Sequence, residues 1–326
     1  MSGRGRLLCI LAALALSGAG ALLWALTAGE FAVSPLDALT ALFGAGTGIE
    51  SDVVRQLRLP RAVAVFACGG LLALAGALMQ VLLRNPLADP YILGISGGAA
   101  VGALFAMMIG LAPWMIDGAA FAGALGAMLL VFGLAHGDGS WTQTRLLLTG
   151  VVVAAGCGAL VSLMLSLATD ARVYSMLFWL MGDASSATRP WPALAVLGLA
   201  LLAVAPLARD LNVLVRGEEG ARALGVDVRR LRHVLYALAS LLTAVSVTLI
   251  GSVGFVGLIV PHLLRLVIGN DQRVLLPACA LAGGTLLVVA DTAARTVLAP
   301  IQLPVGVLTA LIGVPLFLFL LSRKLR

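Results

Sequence analysis

Residues 209–232 read RDLNVLVRGEEGARALGVDVRRLR, a run of charge and glycine in a chain that is otherwise almost continuously apolar. Apolar stretches at 190–207 and 234–250 flank it, each close to the roughly 20 residues that an α-helix needs to cross a hydrocarbon core. A polar segment between two such spans must sit in water. The stretch therefore dictates a bundle of membrane helices with an aqueous loop. That loop carries Arg209, Arg216, Arg222, Arg229, Arg230 and Arg232 against Asp210, Glu218, Glu219 and Asp227. Arginines beside span ends are retained in the cytoplasm, which places the loop there. Gly217 and Gly220 bracket the Glu218-Glu219 pair, and Gly225 follows Ala221, Arg222, Ala223 and Leu224. Acidic residues at a helix start and glycine past its end punctuate helices, so the spacing predicts two short helices in the loop. Spacing alone leaves two readings open, a docking element for a partner and a solvated linker.

Composition generalises the membrane reading. Of 326 residues, 61% are hydrophobic and 11% charged, whereas a soluble domain is about 25% charged. Mean hydropathy is +1.09. The net charge of +6 does not point to nucleic acid, because most of the basic residues flank apolar stretches and act as topology signals. Cys9, Cys68, Cys157 and Cys279 lie far apart inside apolar stretches and imply no disulfide framework or thiolate metal site. The first apolar stretch follows Arg4 and Arg6 and is longer than a signal-peptide core, so it is expected to stay as an uncleaved helix.

Ten apolar stretches are counted, at 7–27, 62–83, 92–111, 116–135, 146–168, 190–207, 234–250, 255–268, 274–297 and 305–321. A tight Ala112-Pro113-Trp114 turn separates the third from the fourth, and the eighth is short for a crossing and holds Pro261, His262 and Arg265. With the amino terminus inside, ten crossings return the carboxyl terminus inside. Of the 21 Lys and Arg residues, 15 then fall inside and six outside, the bias expected of that topology. The expected fold is thus one all-α, multi-pass transmembrane domain over residues 1–326, both termini cytoplasmic. Glycines at packing distance, such as Gly98 and Gly102 or Gly251, Gly254 and Gly257, let helix backbones approach in lipid. The stretches after Arg61 and after Arg232 have similar texture and cross in opposite senses, a hint of an inverted repeat.

Catalytic chemistry is missing. Lys324 is the sole lysine, so no GxxxxGK[ST] phosphate loop exists. His136, His233 and His262 lack metal-ligand spacing, and no metal or cofactor is expected in this chain. Asp291 lies within the ninth stretch, four residues before Arg295 and on the same helix face, which reads as a structural ion pair or as a proton relay. With few other charges inside the spans, a proton- or ion-driven carrier has little to work with. Energy is expected from another subunit.

Three segments together resemble the FecCD family, the permease subunits of binding-protein-dependent ABC importers for iron-siderophores, haem and cobalamin. They are 58–98, RLPRAVAVFACGGLLALAGALMQVLLRNPLADPYILGISGG; 221–262, ARALGVDVRRLRHVLYALASLLTAVSVTLIGSVGFVGLIVPH; and 271–315, which holds ADTAART and QLPVGVLTALIGVP. The resemblance covers nearly the whole chain after the first stretch. It implies the type II ABC importer permease fold in a bacterial inner membrane. It also implies a homodimer with its substrate path on the two-fold axis, two cytoplasmic ATPase subunits and one periplasmic binding protein. No catalytic residue is then expected here, since ATP is hydrolysed in a separate subunit.

The same resemblance assigns roles. Glu218, Glu219, Ala221, Arg222, Ala223, Leu224 and Gly225 match the coupling helix that docks on the ATPase, which favours the docking reading of the loop. Arg58 and Arg61 match the family's RLPR motif and Arg295 the arginine before LP[VI]G, positions that pair with glutamates of the binding protein. A bidentate guanidinium-carboxylate pair supplies orientation as well as attraction; contact with lipid headgroups is the bland alternative. Asn85 and Leu87 match NPLA[DE]P in the cytoplasmic gate. Thr142 and Gln143 belong to the second gate segment, where Thr-Gln-Thr stands in place of the Ser-Thr-Ser of a cobalamin permease. Met79, Gln80, Ser96 and Gly97 are the expected lining of the substrate path.

Two other classes compete. A self-sufficient secondary transporter of a small hydrophobic solute would need coupling-ion ligands within its spans. An intramembrane enzyme would need paired acidic or His/Glu residues at helical spacing. Among importer substrates the expected order is iron-siderophore, then cobalamin, then haem. The external segment 174–186, YSMLFWLMGDASS, is a further candidate for shaping the entrance.

Overall fold

The computed structural model describes residues 3–44, 48–135, 142–185, 187 and 190–324. All regular structure among them is helical. Helix α1 spans Gly3–Thr27, α2 Pro35–Leu42 and α3 Ile49–Asp52; a π-helical turn, Val53–Arg58, joins α3 to α4, Leu59–Leu82. After a 3-10 turn at Pro90–Leu93 come α5 (Ile95–Met108), α6 (Pro113–Ala135), α7 (Gln143–Leu167) and α8 (Asp170–Leu180). The rest are α9 (Pro190–Val204), α10 (Ala208–Leu214), α11 (Glu218–Ala223), α12 (Val228–Ile250), α13 (Val256–Ile268), α14 (Gln272–Thr296) and α15 (Val305–Lys324).

Helix α4 is the axis of the bundle. It is apolar around its whole circumference, and residues 67–82 are buried without exception, as such a helix must be. Helices α9, α12, α13 and α14 pack on it. Contact between helices that gain nothing by leaving lipid depends on close approach, and α4 obtains it with glycine. A Cβ on Gly76 would lie 1.8 Å from the Gly257 carbonyl oxygen of α13, so no other residue fits there without moving a backbone. Gly98 and Gly123 bring α5 and α6 together in the same way, a Cβ on Gly98 falling 2.4 Å from the Gly123 oxygen.

Six helices among the described residues are long and apolar enough to cross a membrane, or seven if the bent pair α9 and α10 forms one span. Helices α5, α13 and α15 are shorter apolar helices. The chain is a multi-pass membrane protein, and each of the ten apolar stretches falls on one of these elements.

Boundaries differ from the hydropathy reading where capping, not hydropathy, sets them. Helix α12 starts at Val228, not at 234, because Asp227 caps it by accepting the Arg230 amide at 3.0 Å. Arg229, Arg230 and Arg232 therefore ride on its first turns. The second span is part of a 34-residue helical run, 49–82, rather than starting at 62. Two helices went unread. Helix α2 follows Ser34-Pro35, with the Ser34 hydroxyl accepting from the Asp37 amide. Helix α8 covers residues 174–180 of the segment expected to shape the entrance and packs against α5. Irregular backbone remains at 84–89 and at 251–255, and the second is held by the 3-10 turn: the Tyr91 hydroxyl donates to the Val253 carbonyl and accepts from the Val253 amide, both at 3.0 Å. Non-helical backbone within an apolar bundle needs such partners, since lipid offers none.

Candidate docking, gating and coupling sites

At one end of the bundle, the π-helical turn, α4 and α14 bring Arg58, Arg61 and Arg295 to the rim of a cleft of about 440 Å³. Asp291 is the hub. Arg61 holds it in a fork, Nη2 to Oδ1 at 2.7 Å and Nε to Oδ2 at 3.0 Å, while Arg295 Nε lies 3.6 Å from Oδ2. The carboxylate is 3% exposed, so two guanidiniums around it replace the lost hydration. The ion-pair reading of Asp291 and Arg295 holds, with Arg61 added as the closer partner. Arg61 also reaches Gln302 at 3.4 Å, and Arg295 donates to the Ala25 carbonyl at 3.0 Å.

Arg58 differs from its neighbours. It is 7% exposed and donates to the carbonyls of Leu26, Thr27 and Phe31, closing the end of α1 and the chain that follows it. With those donors spent on backbone, Arg58 holds the cleft wall in this conformation instead of presenting a fork outward.

At the opposite end, α4 closes with a Schellman turn. The Arg84 amide donates to Val81 and the Asn85 amide to Gln80, both at 3.2 Å, with Arg84 in the left-handed region at φ 46°. Asn85 then accepts from the Leu87 amide at 2.9 Å, and Asp89 caps the 3-10 turn by accepting from the Tyr91 amide at 2.7 Å. Burial pushes the Asp89 carboxyl up to about 6, against the pull of that amide. Thr142 caps α7, and Gln143 Nε2 donates to the Leu82 carbonyl at 3.1 Å. Leu82, Leu83, Thr142, Gln143, Leu146 and Arg232 thus enclose one small cavity. The second expected gate segment meets the end of α4 there, just before the turn that holds Asn85 and Leu87.

Helices α10 and α11 are the two short helices expected in the 209–232 loop. Ala221 is buried, whereas Glu219, Arg222, Ala223, Leu224 and Gly225 are exposed, Leu224 at 72%. Glu218 turns inward. Its side chain is 17% exposed and meets Arg84 at 3.2 Å, Arg222 at 3.6 Å and, closest, Arg232. Only the Glu218–Arg222 spacing of four was visible in the sequence; the other two contacts join remote segments.

Two of the residues expected along the path lie inside the bundle in this conformation. Met79 is fully buried and Gln80 is 3% exposed within the bundle. The Gln80 amide is committed to the Leu258 carbonyl at 3.1 Å and to Arg265, so neither side chain offers surface to a solute in this conformation. Ser96 and Gly97 are half-buried at the start of α5, where a Cβ on Gly97 would lie 2.9 Å from Cys157 Cβ on α7. The feature that sequence reasoning missed is an apolar groove of about 530 Å³ lined by the end of α8, Ser252 and α15, including Met181, Gly306 and Pro315. Its lining comes from three segments far apart in the chain. His136 lies outside the described residues.

A bundle of apolar helices with an ion-pair cluster at each end describes a multi-pass membrane protein. The chain belongs to the FecCD transport family, which it matches over residues 9–323. It is 45% identical over 282 residues to the cobalamin import system permease protein of Halobacterium salinarum, covering 83% of this chain and 74% of that one. It is 41% identical over 314 residues to the vitamin B12 import system permease protein of Escherichia coli, covering 94% and 92%. A solved metal-chelate type ABC transporter in an inward-facing conformation superposes with a TM-score of 0.84 at 31% identity, covering 97% of this chain and 99% of that one. As a permease of this family the chain works with separate ATPase subunits, which hydrolyse the ATP, and with a substrate-binding protein.

Proposed function

We propose that this chain forms the path of an ATP-driven importer of cobalamin in a bacterial inner membrane. The observation that carries the substrate is the likeness, at 41% and 45% identity, to two permeases that import cobalamin. It reverses the order expected from the sequence, in which iron-siderophores came first. The metal-chelate type of the superposed transporter keeps ferric siderophore as the second reading.

In this reading two copies pack about a two-fold axis with two ATPases and one binding protein. The six long helices, the bent pair and the three short helices make ten crossings, both termini cytoplasmic, in one domain. The end bearing Arg61 and Arg295 faces the binding protein, and the end bearing α10 and α11 faces the ATPases. Asn85, Leu87, Thr142 and Gln143 form the cytoplasmic gate, and Ser96 and Gly97 lie beside the path. The test is uptake by proteoliposomes holding this chain, its ATPase and its binding protein. ATP-dependent accumulation of labelled cobalamin, and not of labelled ferric siderophore, is the expected result. Accumulation of the siderophore alone would pass the assignment to the second reading, and accumulation without ATP would make the chain a secondary transporter.

A further inference from the structure

We propose that Glu218 is the positioning residue through which movement of α11 reaches the gate, an inference that rests on the importer reading above. Glu218 and Glu219 open the same helix and point opposite ways. Glu219 is exposed, so it can meet a docked partner, whereas the inward Glu218 carboxylate is taken up by three arginines of its own chain. Its Oε1 bridges two segments at once: Arg84, the first residue of the gate turn, and Arg232, on the opening turns of α12. Arg232 in turn lines the small cavity shared by Leu82, Leu83, Thr142 and Gln143. One carboxylate therefore ties α11 to the gate turn directly and, through Arg232, to the wall of a cavity that Thr142 and Gln143 also line.

The flanking backbone gives this tie something to transmit. Helix α11 has six residues between Gly217 at φ 137° and Gly225 at φ 82°, and only Ala221 of it is buried. A short helix between two glycines can rock when a partner pushes it, and without a side-chain tie that motion would be absorbed at the glycines. Arg84 stands in a left-handed conformation that an L side chain enters at a cost, so its backbone is held in place by what surrounds it. An arginine there, where helix ends commonly carry glycine, supplies the charge that α11 grips. Displacing Glu218 then pulls on the first residue of the gate turn and on the foot of α12 together.

The experiment uses the full importer complex with a spin label at Leu87→Cys in each copy and the native cysteines replaced by alanine. The distance between the two labels is measured with and without ATP, beside cobalamin uptake per ATP hydrolysed. In the otherwise unaltered chain, ATP should change the label distance. Arg84→Ala should preserve assembly and hydrolysis, and both it and Glu218→Gln should reduce the distance change to a small remainder, with uptake per ATP falling roughly tenfold, as losing charge-assisted hydrogen bonds implies. The exchanged pair Glu218→Arg with Arg84→Glu should recover part of both, which a purely structural loss would not. A gate that moves normally in Glu218→Gln overturns the proposal, and so does a gate that never responds to ATP. Loss of ATPase binding in Glu218→Gln, with normal gate motion in Arg84→Ala, also overturns it and makes Glu218 a docking residue. If the unaltered complex moves its gate but takes up no cobalamin, the substrate assignment fails and the joint stands.

Discussion

Asp291 shows how much one carboxylate can organise where water is scarce. Its ion pairs join residues 230 positions apart in sequence, and removing it leaves Arg61 and Arg295 facing each other without a counter-charge. Breaking a buried pair from one side costs about 3–5 kcal/mol, far more than the pair adds relative to an apolar substitute. Asp291→Ala should therefore lower the thermal midpoint of the purified chain in detergent steeply. Replacing Asp291, Arg61 and Arg295 together by apolar residues of similar size should recover most of that loss; equal midpoints for the single and triple variants would contradict this account. The charges at this site were legible as residues, and so was the spacing of four between Asp291 and Arg295. The Arg61 fork was not, because nothing local marks which span lies beside which. Arg58 was legible only as a charge: its partners are backbone carbonyls, and every residue has one.

At the scale of elements, periodicity and hydropathy locate the long helices, while capping chemistry decides where they begin. Asp227 and Ser34 are ordinary cap residues whose signals were present in the sequence, and reading them would have moved the start of α12 and revealed α2. The contact between the Tyr91 hydroxyl and residue 253 had no such signal. That hydroxyl supplies both a donor and an acceptor to one residue of an interrupted segment, leaving neither backbone group of Val253 without a partner. Tyr91→Phe should strand both groups at about 1–3 kcal/mol. Faster amide exchange confined to 251–255 is the expected signature, and unchanged exchange there would show that the segment is held by its packing alone.

For the whole molecule, the multi-pass helical class and its segment order were written in the hydrophobic pattern. What the sequence could not give was which side chains are used up inside the chain. Met79 and Gln80 were expected along the path, yet residues 67–82 of α4 are buried throughout and no local pattern says so. The same distinction divides the three arginines around the cleft. Arg61→Gln should weaken binding-protein affinity roughly tenfold, and, because it leaves the buried Asp291 with Arg295 alone, it should lower the thermal midpoint as well. Arg58→Ala should act chiefly on stability, since it removes the tie to the end of α1. Binding measured on immobilised complexes separates the two, and equal affinities for Arg61→Gln and the unaltered chain would exclude Arg61 from the docking face.

The bond between Arg61 and Asp291 also sets a timetable for synthesis. Its partners are 230 residues apart, so at the usual 5–20 residues per second the guanidinium must wait roughly 10 to 50 s for its counter-charge to leave the ribosome. Helix α4 faces the same delay, because α12, α13 and α14 are made long after it. During that interval the nascent chain exposes a small-residue helix and an uncompensated cation at the membrane surface. The insertion machinery must shelter both until the last third of the protein arrives.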